Sequence, residues 1–456
     1  MGEKITMAKI QIPPKVGRIQ KIMGVPCYIV GGAVIDTLRN IQTLDYDIEV
    51  FGLSYEQIQT KLENAGYKCK LTGKAFGVLQ VVKDGVDFDI SVPRVENRLG
   101  VGHRDFKVCF VSDMTPKEAA LRRGLTIEAL MAAIPSGEIL DPNNGLNDLK
   151  GSILRMNNAK TFGEDPLRVL RIAQNLSRGR GDIVDYLTIA RCRAMTPEHL
   201  SKERIWSEWQ KILIGEKPSL ALEFLDKIGW IKKYWPELDA LHGVYQRPDY
   251  HAEGDVWIHT LMVLDQGAKY KHEVSDDFHE QLCFMIGLML HDIGKVTTTD
   301  KDGSAIGHER AGVKPAKAFM KRMTDQDFPL VWEAIECHLR PFQLEKEGKK
   351  SAYKRLHNRI RLDFVGWFSY CDHKGRITTG SDERGENALA KCLHYFKEFG
   401  KEPIPPHIMG RDLIELGMTP GKHFKDVLDR AYNNQIEDGL SKVELLLLIP
   451  KWMELS

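Results

Sequence analysis

Two residue patterns in this chain can do chemistry. In residues 43–51, TLDYDIEVF, Asp45 and Asp47 alternate with Tyr46, Ile48 and Val50. On a strand, residues i and i+2 point to the same face, so the two carboxylates project together. A second alternation, VDFDIS, carries Asp87 and Asp89. Acids paired in this way suit two Mg²⁺ ions, which neutralise the repulsion, bind triphosphate oxygens and help activate an attacking hydroxyl. The same residues also read as an exposed strand face of solvated acids, and D-x-D alone leaves both readings open. Upstream, CYIVGG ends a strand at Gly31-Gly32 and opens a helix, a turn that lets backbone N–H groups approach a phosphate.

The second pattern is histidine-rich. WIHTLMVLD carries His259, and LCFMIGLMLHDIGK ends an apolar run in His291-Asp292. IGHERAG carries His308, IECHLRP carries His338, and FSYCDHKGR carries Asp372. An apolar helix ending in His-Asp sets two metal-ligating side chains together, and distant His and Asp residues can close an octahedral N/O site. Such a site activates water for phosphoester hydrolysis. Lys295 follows the pair closely; a solvated lysine is its default reading, with a phosphate contact as the alternative.

A third stretch, EDPLR, bears on base selection. An Arg presents only donors and a carboxylate only acceptors. Asp165 and Arg168, three apart on one helix face, could therefore accept cytosine and adenine, which carry an amino donor beside a ring acceptor, and reject uracil and guanine. An acidic cap with an i,i+3 ion pair is the plainer reading.

The elements that must position these groups follow from periodicity. Short strands and helices alternate up to about residue 150. SYEQIQTKLENAG is an amphipathic helix with Ser54 as N-cap and Gly66 past its end. VLQVVKDGVDFDISVPR is a hairpin turning at Asp84-Gly85. The pattern becomes helical from about Asp165 to Trp235, a separate His-rich helical block runs from about His242 to Asp372, and KEFGKEPIPPHI reads as a linker. The chain has 456 residues, 43% hydrophobic and 28% charged, which suits several domains with true cores. Its net charge of +1 gives no global field for nucleic acid, so RNA contact requires a local patch. Candidates are Arg171, Arg178, Arg180, Arg191 and Arg193, and the run Lys349, Lys350, Lys354, Arg355, Arg359 and Arg361. The eight cysteines include no CxxC, which argues against a zinc ribbon and suits a reducing cytoplasm. No apolar run reaches membrane-spanning length. Residues 1–24 read as a leader, disordered or loosely attached.

Taken in order, the motifs resemble the class II tRNA nucleotidyltransferase and poly(A) polymerase family of the polymerase-β superfamily. VGGAVIDTL with DYDIEV is similar to its catalytic motif, and LRRGLTIEALM to its ribose-reading motif. DPNNGLNDLKGSILR contains the short Asn144-Gly145 motif, FGEDPLRVLR matches the nucleotide-template motif, and LSKERIWSE resembles the helix-stabilising motif built on Glu203, Arg204 and Glu208. The resemblance implies that Asp45 and Asp47 hold catalytic metal, with Asp89 as a third acid. It implies that Gly31, Gly32, Arg122 and Arg123 bind the triphosphate, while Asp165, Arg168 and Arg171 belong to the nucleotide site. The histidine block resembles an HD-type phosphohydrolase domain. That likeness implies His259, His291, Asp292 and Asp372 as primary ligands, with His308 and His338 toward a second metal or a substrate phosphate.

Three positions depart from the family pattern. The ribose motif has Gly124 in place of Asp and Glu128 in place of Asn, and Ile35 stands where the family has Arg. Sugar selection is the function these changes touch.

The expected fold is α+β and multidomain. A leader (1–24) precedes a polymerase-β-like head of mixed sheet and helices (25–157). A helical neck (158–240), an all-α HD domain (241–400) and a helical C-terminal module (401–456) follow. The expected activity is addition of CMP and AMP from CTP and ATP to a tRNA 3′ end, with Mg²⁺ in the head and Mg²⁺ or a divalent transition metal in the HD domain. A poly(A), A-only or C-only transferase acting on another RNA 3′ end is the alternative within the class. A phosphohydrolase whose head only binds RNA or nucleotide is the alternative outside it. No membrane partner is expected, and the cytoplasm is the expected compartment.

Overall fold

The structure, a computed structural model, describes residues 8–41, 43, 46–72, 78–83, 86–98, 106–110, 114–377 and 383–453. Asp45, the Asp84-Gly85 turn and the side chain of Asp87 lie outside the described residues. The chain divides into two compact units, Met1–Trp230 and Ile231–Ser456.

The first unit is built on strands β1 (Cys27–Val30), β2 (Tyr46–Val50), β3 (Lys68–Thr72), β4 (Val78–Lys83), β5 (Val86–Ser91), β6 (Arg94–Arg98), β7 (Phe106–Phe110), β8 (Met131–Ile134) and β9 (Ile139–Leu140). Seven of them form one mixed sheet in the order β3-β4-β5-β2-β1-β8-β9, while β6 and β7 pair separately. β4 and β5 are antiparallel with Lys83 opposite Val86, the register of the expected two-residue hairpin. β5 runs parallel to β2, with Asp89 opposite Asp47. The period-2 pattern explains the face each side chain takes. Tyr46, Ile48 and Val50 are buried in the core with Ile29 and Ile90, and Asp47 points the other way, exposed.

The helix Tyr55–Asn64 starts at Ser54 through a reciprocal capping box with Gln57 and buries Ile58 and Leu62, four apart, on the sheet. The N-terminal segment corrects one expectation. Residues 14–23 form a helix whose Val16, Ile19 and Met23 lie in the sheet's core, and Ile10 N–H bonds to Gly137 O at 2.9 Å. From Ala8 onward the expected leader is part of the head, because its apolar residues recur at helical spacing. After the sheet, the unit is mainly helical, with helices Leu167–Ser177, Tyr186–Arg193, Lys202–Leu213 and Pro218–Lys227.

The second unit is all helical among the described residues. Helix Phe278–Leu290 is buried on every side from Gln281 to Leu290, as its unbroken apolar sequence requires. It delivers His291-Asp292 at its C-terminal end. The turn that follows needs Gly294, since a Cβ there would lie 2.1 Å from the carbonyl oxygen of His308. That close approach brings helix His308–Met323 against the His-Asp turn. The last helices, Gly410–Glu415, Lys422–Glu437 and Lys442–Met453, share a small core of Leu413, Val427, Ala431, Leu445 and Ile449. The segment read as a linker is pinned in place: Ile404 N–H bonds to Asn358 Oδ1 at 2.8 Å, and Gln435 Nε2 to Pro405 O at 2.8 Å. Among the described residues no helix is long and apolar enough to cross a membrane.

Candidate functional site

In the head, Val30 on β1 stands opposite Asp47 on β2, and the chain turns at Gly31 with φ +70°. A Cβ on Gly31 would meet Asp47 Oδ2 at 3.2 Å, so glycine supplies both the left-handed conformation and the room beside the carboxylate. Asp89 stands in register with Asp47 on the neighbouring parallel strand, which sets both carboxylates on one face of the sheet. Oxygen-only donors of this kind fit Mg²⁺.

Other expected head residues fall close by. Arg123 Nη2 lies 3.1 Å from Oε2 of Glu49, a carboxylate on the same strand face as Asp47 and buried, with a residue exposure of 7%. Glu49 was not singled out from sequence; its i+2 spacing from Asp47 was the available signal. The carbonyl of Arg122 accepts from Arg168 Nη2 at 3.1 Å, and Arg168 Nη1 also donates to Thr161 O at 2.5 Å. The guanidinium of Arg168 is thus tied to the backbone on either side. Arg171 contributes its carbonyl to Asn175 Nδ2 at 2.8 Å.

Asp165 departs from the expectation of a shared helix face with Arg168. It precedes helix Leu167–Ser177 because Pro166 stands at the N-cap, and its Oδ1 accepts from Leu167 N–H at 3.1 Å. Arg204 Nη2 grips the same carboxylate at 3.1 Å. The altered ribose motif is internally matched. Glu128 Oε2 accepts from Leu125 N–H at 3.2 Å and Oε1 from Asn175 Nδ2 at 3.0 Å. A Cβ on Gly124 would stand 3.1 Å from Glu128 Oε2.

Several basic residues read as RNA contacts are otherwise occupied. Arg180 is buried and makes a bidentate pair with Asp36 at 2.8 and 2.6 Å. In the later run, Lys350 pairs with Glu398, Arg355 with Glu437, Arg359 with Glu333, and Arg361 with Glu280 and Asp363. Arg361 is largely buried in its pairs, while Lys350, Arg355 and Arg359 lie beside acids with their side chains about half exposed.

In the second unit the histidines converge. His259 Nε2 lies 3.0 Å from Asp372 Oδ1 and 3.6 Å from Asp292 Oδ2. His291 Nε2 lies 3.2 Å from Asp292 Oδ2 and 3.7 Å from Asp372 Oδ1. On the other side of Asp292, His308 Nε2 is 3.2 Å from Oδ1 and also 3.2 Å from His338 Nε2. Two ligand groups therefore share one aspartate: His259, His291 and Asp292, and Asp292, His308 and His338.

Each ring is oriented from behind. Nδ1 of His291, His308 and His338 faces the carbonyl three residues earlier, Leu288, Ala305 and Ile335, at 2.8, 2.7 and 2.7 Å. His259 Nδ1 faces Glu253 Oε1 at 3.0 Å. With Nδ1 donating, each Nε2 faces the centre, where it gives a lone pair once a cation takes the place of any proton, as metal-bound histidines do. Glu253, its side chain covered and also 2.8 Å from His251 Nδ1, went unrecognised in the sequence; its place six residues before His259 is a weak signal.

The fit to a cation is chemical. His291 Nε2 and both carboxylate oxygens of Asp292 are buried, with the charged groups around them in close contact but without well-aligned hydrogen bonds. Burial works against a charged His291, yet Asp292 and Asp372 outweigh it and push its pKa up to about 10. Burial likewise opposes ionisation of Asp292, but His291 and Lys295 hold it well below the usual carboxylate range. His338 goes the other way, down to about 3, through burial and then the neighbouring His308 and His291. The centre draws positive charge and offers N and O donors, which suits a divalent ion. Lys295, expected as a solvated lysine, instead places Nζ 2.7 Å from Asp292 Oδ2.

A mixed-sheet head with acids at a glycine turn, and an all-helical unit with a His-Asp centre, define a nucleotidyltransferase fused to an HD domain. The family model of the poly A polymerase head domain matches residues 27–155, that of the HD domain residues 256–372, and that of a probable RNA and SrmB-binding site of polymerase A residues 185–241. A multifunctional CCA protein of Actinobacillus pleuropneumoniae serotype 5b is 33% identical over 385 residues, covering 81% of this chain and 90% of that protein. Its counterpart in Dechloromonas aromatica is 36% identical over 301 residues, 65% of this chain and 69% of that protein. The chain belongs to the multifunctional CCA protein family. In fold it is similar to the Bacillus stearothermophilus CCA-adding enzyme solved with CTP, with a TM-score of 0.64 at 19% identity over 98% of this chain and 100% of that one.

Proposed function

We propose that this protein adds CMP and AMP from CTP and ATP to the 3′ end of tRNA and that its HD domain hydrolyses phosphoesters. The observation that carries the first reading is Asp89 standing opposite Asp47 beside the Gly31 turn, in a chain of the multifunctional CCA protein family. Asp45 and Asp47 hold Mg²⁺, with Asp89 as a third acid. Bound there, the ions neutralise triphosphate charge and lower the barrier to attack by the RNA 3′-hydroxyl. The Gly31-Gly32 backbone, Arg122 and Arg123 face the triphosphate. Asp165 accepts from the exocyclic amino group of C or A, and Arg168 donates to the ring nitrogen; the carbonyls of U and G find no donor in the carboxylate. Arg171 lies one helical turn beyond Arg168 in the same site.

In the HD domain, His259, His291, Asp292 and Asp372 hold a divalent ion of a kind that accepts N and O donors. His308 and His338, with Asp292 shared, hold a second ion or a substrate phosphate. The ion supplies an activated water when bound. Cys27, Cys69, Cys192, Cys283, Cys337, Cys371 and Cys392 are free thiols, which suits a reducing cytoplasm.

The deciding experiment is a gel assay with Mg²⁺ and tRNA transcripts ending before CCA, after C and after CC, each with single labelled nucleotides. Ordered addition of C, C and A that then stops is expected. Addition of A alone, or open-ended addition, would replace this reading with a poly(A)-type transferase. No incorporation at all would leave only the HD activity.

A further inference from the structure

One polar side chain beside the HD centre is engaged through its oxygen and not through its nitrogen. Gln246 is 4% exposed, and its Oε1 accepts from Lys295 Nζ at 2.8 Å. The same Nζ reaches Asp292 Oδ2 at 2.7 Å. Gln246 Nε2 is buried and has no hydrogen-bond partner. A buried donor left unpaired is costly, and such groups in native proteins call for an explanation, a bound ligand among them.

The orientation of the amide is not arbitrary. The lysine ammonium has only donors, so the amide oxygen must face it and the NH₂ must face away. The segment is also anchored: Gly243 N–H bonds to Asp255 Oδ2 at 2.7 Å, and Val256 N–H to Val244 O at 3.3 Å. Asp255 caps the helix that carries His259, so Gln246 is tied to the same frame as a ligand of the centre. An amide nitrogen has no lone pair to give a metal. What it can meet is an acceptor oxygen, and the substrates of a phosphoester-hydrolysing centre supply anionic ones.

We propose that Gln246 is a substrate-binding residue of the HD centre, its Nε2 donating to a phosphoryl oxygen, with Lys295 as the positioning residue that turns the amide. The inference rests on the phosphohydrolase reading of this site. The ligand chemistry is a tetrahedral phosphoryl group, shared by phosphate monoesters and diesters.

The test uses the full chain loaded with Mn²⁺ and titrated with orthophosphate by calorimetry. Gln246→Ala is expected to weaken phosphate binding about tenfold or more at unchanged metal content. Gln246→Glu keeps the acceptor for Lys295 but replaces the donor with a carboxylate oxygen, and is expected to weaken it further. Hydrolysis of p-nitrophenyl phosphate and of bis(p-nitrophenyl) phosphate distinguishes a monoester from a diester site, with KM raised by Gln246→Ala for the true class. Wild-type phosphate affinity in Gln246→Ala would overturn the inference, as would recovery of affinity in Gln246→Glu or a wild-type chain that binds no phosphate. If neither ester is hydrolysed while phosphate binding still depends on Gln246, the phosphohydrolase reading fails and the contact stands.

Discussion

Arg204 Nη2 lies 3.1 Å from Oδ2 of Asp165 and 3.4 Å from Oδ1, so helix Lys202–Leu213 holds the carboxylate that precedes helix Leu167–Ser177. If Asp165 reads the base edge, Arg204 sets its angle. Arg204→Ala is expected to raise KM for CTP and ATP about tenfold and to let UTP and GTP compete, with Arg204→Lys intermediate because a lysine cannot reproduce the planar fork. Steady-state incorporation with each nucleotide measures this; unchanged KM and selectivity would remove Arg204 from base selection.

Asp47→Asn keeps the shape of the side chain and removes its charge. With Asp89 opposite it on β5, the head then loses half of an acid pair. Nucleotide incorporation is expected to fall by about three orders of magnitude or more, while hydrolysis at the HD centre stays at the wild-type rate. Both are read from one preparation, and full incorporation by the variant would refute the metal assignment.

Gly124 and Glu128 are coupled through space, since a Cβ on the first would stand 3.1 Å from the carboxylate of the second. Gly124→Asp alone would set two carboxylates against each other and is expected to destabilise the head. Gly124→Asp with Glu128→Asn relieves the contact and restores the family residues. A coupling of about 1–2 kcal/mol between the two sites is expected from thermal unfolding of the four proteins. The double variant is also expected to favour ribonucleotides over deoxynucleotides more strongly than the wild type in single-nucleotide incorporation. Additive stabilities and an unchanged sugar preference would show two independent positions.

In the C-terminal module, Asp412 accepts from Lys442 Nζ and from Met409 N–H, each at 2.7 Å. Lys442 first, and then the backbone N–H, hold its carboxyl below the usual carboxylate range. The folded state therefore binds its proton less readily than the unfolded chain. The stability this contributes is present above about pH 4 and is lost as pH falls through the depressed value. Asp412→Asn is expected to speed amide exchange across residues 410–452 at neutral pH, with the difference from wild type closing toward about pH 3. A gap that persists in acid would assign the effect to packing rather than charge.

Much of the site could be read from local pattern. Alternation in YDIEV and VDFDIS set Asp47 and Asp89 on strands, because a strand turns each side chain to a face with period 2. An apolar run ending in His291-Asp292 announced a buried helix with two candidate ligands at its end. Pro166 marked the place where helix Leu167–Ser177 begins, though the expected pairing of Asp165 with Arg168 ignored that it leaves Asp165 ahead of the helix. The partners came from elsewhere in the chain. Asp165 meets Arg204 from 39 residues away, Lys295 meets Gln246 across 49, and Asp36 meets Arg180 across 144. No periodicity encodes such pairs. Backbone geometry dictates which face a residue presents within its own helix or strand, whereas the group that meets it is chosen by how helices and sheet pack. Arg180 shows the consequence most plainly: in sequence it is one more arginine in a basic stretch, and in the folded head it is buried against Asp36 because a desolvated guanidinium must find a carboxylate.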